Sequence, residues 1–431
     1  MKKDKIGIIT LGCSKNTVDS ERLINQLRLN KFDISDNPEK SDTVIINTCG
    51  FIEAAKEESI NTILSAVELK KAGKLKKVIV TGCLSQRYKE DLIKEIPEVD
   101  IFFGTEDYEG IVKNLGGNLK YELLGERVIS TPKHYAYLKI SEGCDNPCSF
   151  CAIPLIRGGH KSRTIESLVE ETSFLAEKGV KEIIVIGQDT TDYGKDIYGR
   201  RNLAELLTKL SEVKGIEWIR LLYAYPSHFP DDVFDVMAGN PKICKYLDMP
   251  LQHISDNVLK SMRRGITKGR TIKLIKKIKE KVPGITLRTT FIVGYPNETE
   301  ADFEELCGFV SETGFDRIGA FTYSIEENTH SYKLGDSVAR EDKEDRLARL
   351  MEIQNAISFE KNKLLIGTEV KVIIDRLEDD KYFARSEKDA PEVDGDIIIN
   401  KGNNRLHIGG FYNVKIVSAS DYDLTAKVIL G

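Results

Sequence analysis

Three thiols stand on one short loop, Gly143-Cys144-Asp145-Asn146-Pro147-Cys148-Ser149-Phe150-Cys151, in a Cys-x3-Cys-x2-Cys spacing. The loop follows Tyr135-Ala136-Tyr137-Leu138-Lys139-Ile140, which reads as a buried strand. Three thiolates so close together suit an iron-sulfur cluster that needs four ligands, and the missing fourth leaves one iron open to a small molecule. Chemistry would occur at that open iron. Two other readings compete: a zinc site, which normally closes with a fourth Cys or His, and a disulfide, which an odd local count and a reducing compartment disfavour.

A second set of thiols is spread far wider. Cys13, Cys49 and Cys83 are 36 and 34 residues apart. Each nevertheless ends a strand-like run: residues 5–12 before Cys13, 43–48 before Cys49 and 77–82 before Cys83. Helical patterns follow, from Asp19, over 53–71 and over 86–96, the second of these rich in Glu and Lys and so a solvated face. In an open parallel sheet ligands collect at the carboxyl ends of the strands, so these thiols are expected to converge on a second three-thiolate site. One strand-end Cys alone is more often a core thiol, but three in equivalent positions are hard to assign to packing. Cys244 and Cys307 belong to neither set and are expected to be ordinary, partly buried thiols in helix-like or loop surroundings.

The elements that must position these groups follow from the rest of the chain. A length of 431 residues suggests two to four domains, and 41% apolar with 30% charged residues describes an ordinary globular chain. Residues 115–133, with Gly116, Gly117, Gly125 and Pro132, read as a linker. From Tyr135 onward apolar runs near 136–141, 182–187, 217–223, 246–251, 285–293 and 317–323 alternate with helical segments such as 165–178 and 267–281, a pattern expected of a partial parallel barrel. Active sites in such barrels lie at the carboxyl ends of the strands. That makes Gln188, Asp189, Arg220, Gln252, His253 and the turn Gly294-Tyr295-Pro296-Asn297-Glu298 the polar candidates. Arg220 presents a fork of donors suited to a carboxylate, with an internal ion pair as the competing reading. Arg157 to Arg163 form a basic loop beside the first thiol set, either solvated or meeting an acidic group. After a charged helix over 340–365, five short strands (369–375, 380–385, 396–399, 413–417 and 424–430) suggest a small antiparallel barrel. The net charge of −5 gives no global basic field and so no sequence-independent attraction to nucleic acid. No run of 18 apolar residues exists and the opening residues are too weakly apolar for a signal peptide, so a cytoplasmic protein with no membrane segment is expected.

The Cys144 loop, with Phe150 in the aromatic slot before its last Cys, resembles the radical SAM enzymes, whose open iron chelates the amino and carboxylate groups of S-adenosylmethionine (SAM). With a cysteine-bearing amino-terminal domain before it and a TRAM-like barrel after it, the whole chain resembles the radical SAM methylthiotransferases. Leu11-Gly12-Cys13-Ser14-Lys15-Asn16 with Val18-Asp19-Ser20-Glu21, Gly187-Gln188-Asp189-Thr190 with Tyr193-Gly194, and Pro250-Leu251-Gln252-His253 look like the RimO branch. Ser14 and Tyr295 depart from the usual pattern, and neither is a ligand. The resemblance implies an α/β multidomain fold: an open parallel α/β domain over residues 1–130, a partial TIM-like radical SAM barrel over 134–362, and a TRAM-like β-barrel over 365–431. It implies a 4Fe-4S cluster on Cys144, Cys148 and Cys151, and an auxiliary 4Fe-4S cluster, carrying the sulfur, on Cys13, Cys49 and Cys83. It implies SAM contacts from Phe150, Gln188 and Arg220, with Gln188 gathering the SAM amino group. In such enzymes one SAM methylates the sulfur and a second is cleaved to the radical that removes hydrogen from the substrate carbon.

The implied substrate is an aspartate β-carbon in a small-subunit ribosomal protein, with an electron donor such as flavodoxin or ferredoxin. The MiaB and MtaB branches, which modify tRNA adenosine, are the alternative. The carboxy-terminal segment 365–431 bears on this choice, since it carries 12 Asp or Glu against 9 Lys or Arg. A tRNA-gripping barrel needs cations to displace counterions. Glu378, Asp379, Asp380, Asp389, Glu392, Asp394 and Asp396 are instead expected to form an acidic loop surface that steers a basic protein.

Overall fold

The computed structural model describes residues 4–429. A five-stranded parallel sheet comes first, formed by β1 (Lys5–Thr10), β2 (Asp33–Ser35), β3 (Thr43–Thr48), β4 (Lys77–Gly82) and β5 (Ile101–Phe102) in the order β2-β1-β3-β4-β5. Its central strand β3 is buried at every residue, as a Val/Ile-rich strand covered on both faces must be. Helices α1 (Ser14–Leu29) and α4 (Tyr108–Asn114) pack on one face through Leu23, Leu27 and Ile111. Helices α2 (Glu53–Lys71) and α3 (Cys83–Glu95) pack on the other through Ile63, Leu84 and Leu92. Helices α1 and α3 begin earlier than their apolar periodicity indicates. Gly12 and Gly82 take φ of +88° and +97°, which lets β1 turn into α1 within three residues and β4 pass directly into α3.

The second domain carries a sheet of six parallel strands in the order β13-β12-β11-β10-β9-β6, an open half-barrel. Its members are β6 (Tyr135–Lys139), β9 (Glu182–Ile186), β10 (Trp218–Leu221), β11 (Ile243–Asp248), β12 (Thr286–Val293) and β13 (Arg317–Thr322). A small hairpin of β7 (Ser141–Glu142) and β8 (Lys161–Ser162) brackets the Cys144 loop and the short helix α5 (Ile153–Arg157). Helices α6 (Ile165–Glu177), α8 (Leu203–Ser211), α9 (Asp231–Gly239), α11 (Lys268–Lys281), α12 (Glu300–Thr313) and α13 (Arg340–Leu364) bury Leu168, Leu206, Met237, Ile278, Phe303 and Leu350 against the outer face of the sheet. Two shorter helices, α7 (Lys195–Tyr198) and α10 (Asp256–Ser261), sit among the loops at the carboxyl ends. Cys244 lies in β11, not in a loop, because that strand starts at Ile243; Cys307 lies in α12, and both residues are buried.

Five further strands close into a barrel: β14 (Glu369–Glu378), β15 (Lys381–Ser386), β16 (Ile397–Asn400), β17 (Phe411–Ala419) and β18 (Leu424–Val428). Leu430, the predicted end of the last strand, lies outside the described residues. Four strand pairs are antiparallel, while β16 and β18 run parallel. An odd ring of strands cannot alternate direction all the way round, so one parallel pair is unavoidable.

This barrel does not stand apart. Its β15–β16 segment enters the amino-terminal ends of the half-barrel strands. There Arg317 donates to Asp389 at 2.8 Å, the Tyr135 and Tyr137 hydroxyls donate to Glu392, and the Tyr246 hydroxyl donates to Asp394 at 2.7 Å. Trp218 meets Phe411 edge to face at 4.9 Å, worth about 0.5–1.5 kcal/mol beyond its buried area. The expected acidic surface therefore needs correction. Asp389, Glu392 and Asp394 are spent on docking, and Arg376 and Lys401 answer Glu378, Asp396 and Asp380 at the outer rim. Three of the seven expected acids thus face the half-barrel and not a partner.

Residues 115–133 also differ from a simple linker, because Arg127 is buried and donates to Glu21 of α1, Glu171 of α6 and the Tyr137 carbonyl. Arg22 and Arg163 converge on the same Glu171. Burial pushes the Glu171 carboxyl up, but the three arginines hold it at about 2. Glu171→Gln should leave the buried Arg22 and the half-buried Arg163 without a counterion and Arg127 with Glu21 alone, and destabilise the chain by roughly 3–5 kcal/mol in denaturant titrations. In the unmodified protein Glu171 contributes fully above pH 4.5, and its contribution is lost as pH falls from there towards 2. The variant's deficit should therefore shrink over that range.

Candidate functional site

The Cys144 loop is tied down along its length. Gly143 has φ of +73°, and a Cβ there would lie 2.1 Å from the Gly159 carbonyl, so only glycine lets the loop press onto the Gly158-Gly159 turn. The Cys144 amide donates to the Gly158 carbonyl, the Ser149 amide donates to Met262, and the Ser331 amide donates to the Ser149 carbonyl. The Asn146 side-chain amide lies 3.3 Å from the Cys144 Sγ and also donates to Asp189 at 2.7 Å. Asp189 in addition accepts from the Thr191 amide and hydroxyl, so it serves as a brace. The Tyr295 hydroxyl lies 2.9 Å from the Ser149 hydroxyl, and its ring belongs to the apolar group against which Phe150 packs. His253 is fully buried and accepts from the Ser255 amide, a structural position.

The other three thiols sit at the carboxyl ends of β1, β3 and β4. Cys13 caps α1 and Cys83 opens α3, so two helix amino termini stand beside these thiols. The Cys49 amide and carbonyl both bond the buried Ser59 hydroxyl. A Cβ on Gly12 would fall 2.7 Å from the Cys49 Cβ, so the first two turns touch. Asn16 joins the set by donating to the Leu11 and Thr48 carbonyls at 2.8 and 3.0 Å.

All six thiols line one cavity of about 360 Å³ between the first two domains, and Phe150 and Gln188 line it with them. Burial pushes Cys83 and Cys151 up to about 12 and Cys144 up to about 11. Each would carry thiolate charge at neutral pH only beside cations or a metal centre. Two buried guanidinium groups supply part of that charge. Arg157 lies 3.5 Å from the Cys83 Sγ and donates to Asn16, Asp19 and Glu142. Arg264 lies 3.1 Å from the Cys148 Sγ, stacks 4.3 Å above the Tyr225 ring and leaves its Nε without a partner. The basic loop thus meets acids at both ends, Arg157 as above and Arg163 at Glu171. Gln188 donates to Glu142 at 2.9 Å while its buried Oε1 finds no donor, an acceptor left for a ligand ammonium. Six unbridged thiols in two sets of three, an orphan acceptor and an orphan guanidinium N–H fit two three-thiolate clusters and an amino-acid group between them.

Arg220 requires correction. It is the buried third residue of the four-residue β10, and its guanidinium turns to the amino-terminal end of β9, donating to Glu182 at 2.8 Å and to the Glu387 and Ser386 carbonyls. Inward-facing residues alternate along a strand, so Arg220 lies a pleat or more below the mouth and serves the docked barrel. A guanidinium that does face the cavity on the Cys148 side is Arg264, which lies in the loop after α10, where strand-end reasoning does not look. Lys15, Gln252 and Tyr225 also line the cavity, and only Gln252 was a sequence candidate.

Residues 5–104 match the uncharacterized protein family UPF0004, residues 138–310 the radical SAM superfamily and residues 366–429 the TRAM domain. The chain is 54% identical over 430 residues to the ribosomal protein uS12 methylthiotransferase RimO of Cytophaga hutchinsonii, covering 99% of this chain and 98% of that one. The corresponding protein of Chloroherpeton thalassium is 52% identical over 432 residues, covering 100% and 99%. Among solved structures, the radical SAM methyltransferase TsrM from Kitasatospora setae resembles it with a TM-score of 0.54 at 13% identity, covering 73% of this chain and 72% of that one. That likeness speaks for the fold. Among the described residues no helix is long and apolar enough to cross a membrane.

The position of Arg220 is testable. Arg220→Met should loosen the docked segment, speeding tryptic cleavage at Lys388 by about tenfold or more, and leave SAM affinity in equilibrium binding unchanged. A tenfold loss of SAM affinity would contradict this placement.

Proposed function

The chain belongs to the family of ribosomal protein uS12 methylthiotransferases, and from that premise we propose that it adds a methylthio group to the β-carbon of an aspartate in uS12, in the cytoplasm, consuming two SAM per product. The observation that carries this reading is the single cavity onto which both three-thiol sets open. Cys144, Cys148 and Cys151 hold one 4Fe-4S cluster, and Cys13, Cys49 and Cys83 hold a second. When bound, the first cluster would supply the electron for reductive cleavage of SAM to a hydrogen-abstracting radical, and the second would supply the sulfur.

The chain's own residues bind and shield. The Gln188 Oε1 accepts from the SAM amino group, Arg264 offers its free Nε–H to the carboxylate, and Phe150 closes the apolar side. Asn146 donates towards the Cys144 sulfur, and Arg157 holds the Cys83 thiolate while spanning to Glu142 on the SAM side. A small electron-transfer protein such as flavodoxin or ferredoxin delivers the electron. Modification of a tRNA adenosine has less to support it, since the carboxy-terminal barrel carries more acids than bases and turns part of its surface inward.

Cys13→Ala should still form 5′-deoxyadenosine from SAM under reductant but attach no sulfur to uS12, whereas Cys148→Ala should do neither. Iron should fall by about half in each after anaerobic reconstitution, and stay unchanged in Cys244→Ala and Cys307→Ala. Mass spectrometry of uS12 and of tRNA incubated in parallel decides the substrate. Methylthiolation of tRNA alone would reject the assignment.

A further inference from the structure

The cations around the cavity are matched, with one exception. Lys139 has Asp19, Glu106 and Glu142; Arg157 has Asp19, Glu142 and Asn16; Arg264 has the Cys148 sulfur and the Pro250 carbonyl. Lys15, two residues beyond Cys13 on α1, is only 7% exposed. It lines the cavity and, among the described residues, has neither an ion pair nor a hydrogen bond. Its Nζ lies 3.0 Å from the centre of the Tyr223 ring. A buried ammonium with no anion is costly, and a ring face offsets part of that cost while leaving N–H donors unused. Tyr223 is itself held in the left-handed region at φ of +60°, where a tyrosine is rare and strained. Its amide donates to Asp248 at 3.1 Å and its carbonyl accepts from Thr190, which fixes the ring at the strand end. Two domains thus cooperate to hold an unpaired cation where they meet.

We infer that Lys15 receives the side-chain carboxylate of the substrate aspartate and so determines specificity for an acidic residue. This rests on the uS12 reading above. Lys15 belongs to the wall that carries the Cys13, Cys49 and Cys83 sulfurs, whereas the free Arg264 donor belongs to the Cys148 side, so two anionic groups have separate receptors. An aspartate carboxylate is one bond from the β-carbon, and anchoring it presents that carbon between the two walls. An amide or a nucleobase in its place could accept a hydrogen bond but would leave the buried ammonium without a counter-charge, which disfavours it.

The test compares intact uS12 with a uS12 in which the modified aspartate is replaced by Asn, using reconstituted unmodified enzyme, Lys15→Met and Lys15→Arg, with iron content measured for each. The unmodified enzyme should show a KM for the Asn protein about 10- to 100-fold above that for the Asp protein. Lys15→Met should raise the KM for the Asp protein to the level of the Asn protein and abolish the preference, and Lys15→Arg should keep most of it. Equal KM values for Asp and Asn with the unmodified enzyme would overturn the inference, whether or not the Met variant loads iron. So would a Lys15→Met variant that loses kcat equally on both proteins with both KM values unchanged, a result that would place Lys15 at the sulfur instead. Failure of the unmodified enzyme to modify uS12 at all would reject the substrate reading, and the role of Lys15 with it.

Discussion

The Lys139 ammonium at the end of β6 is enclosed by Asp19, Glu106 and Glu142, and Arg157 closes the group by pairing with Asp19 and Glu142 again. Burial pushes the Asp19 carboxyl up, but Lys139 and Arg157 together hold it below its ordinary value. Such pairs contribute little net stability over apolar packing, yet removing one member leaves a charge with nowhere to go. What they provide here is registry. Asp19 belongs to the helix that Cys13 caps, Glu142 to the strand before Cys144, and Arg157 to the helix after Cys151. The distance between the two sulfur-bearing walls is therefore set by the group of ions least able to rearrange. The three carboxylates lie close enough to grip a metal ion, but Lys139 already occupies their centre.

The half-barrel needs such registry because six strands do not close. Its open side and its floor are furnished by the neighbouring domains. Val18 of α1 and Ile373 and Ala390 of the terminal barrel sit in one apolar cluster with Tyr137, Ile186, Trp218 and Tyr246 of the strands. Glu326, in the loop after β13, reaches across to Arg87 at 2.6 Å and Lys56 at 3.2 Å. The amino-terminal domain thus brings three of the six thiols and is also the missing wall. A cavity built this way exists only when the domains are docked.

Much of this was legible in the sequence, for physical reasons. Strand-end position fixed the convergence of Cys13, Cys49 and Cys83, since parallel strands place their carboxyl ends together whatever the separation along the chain. The Cys144 loop announced itself by local spacing. Arg220 misled because periodicity gives the face a residue points to but not its height along the strand, and the floor of this barrel is filled from another domain. The acids of 389–394 misled likewise: loop residues in sequence, they are bonded to the half-barrel by a docking event that no local pattern encodes. Lys15 and Arg264 were missed because each matters through what it lacks, and an absent partner has no sequence signature.

The insertion of the β15–β16 segment into the half-barrel floor has an evolutionary side. Small β-barrels at chain ends are usually regarded as exchangeable attachments. Here Glu182 is shared between Arg220 of its own domain and Arg385 of the other, and Asp375 answers both Arg385 and His134. A barrel transplanted from a relative would fold on its own hydrogen bonds, yet would strand Glu182 and Arg220 in the dark unless it brought matching charges. Lineages can therefore diversify this appendage on its outer rim with little penalty, while its inner loop must change in step with the floor it seals.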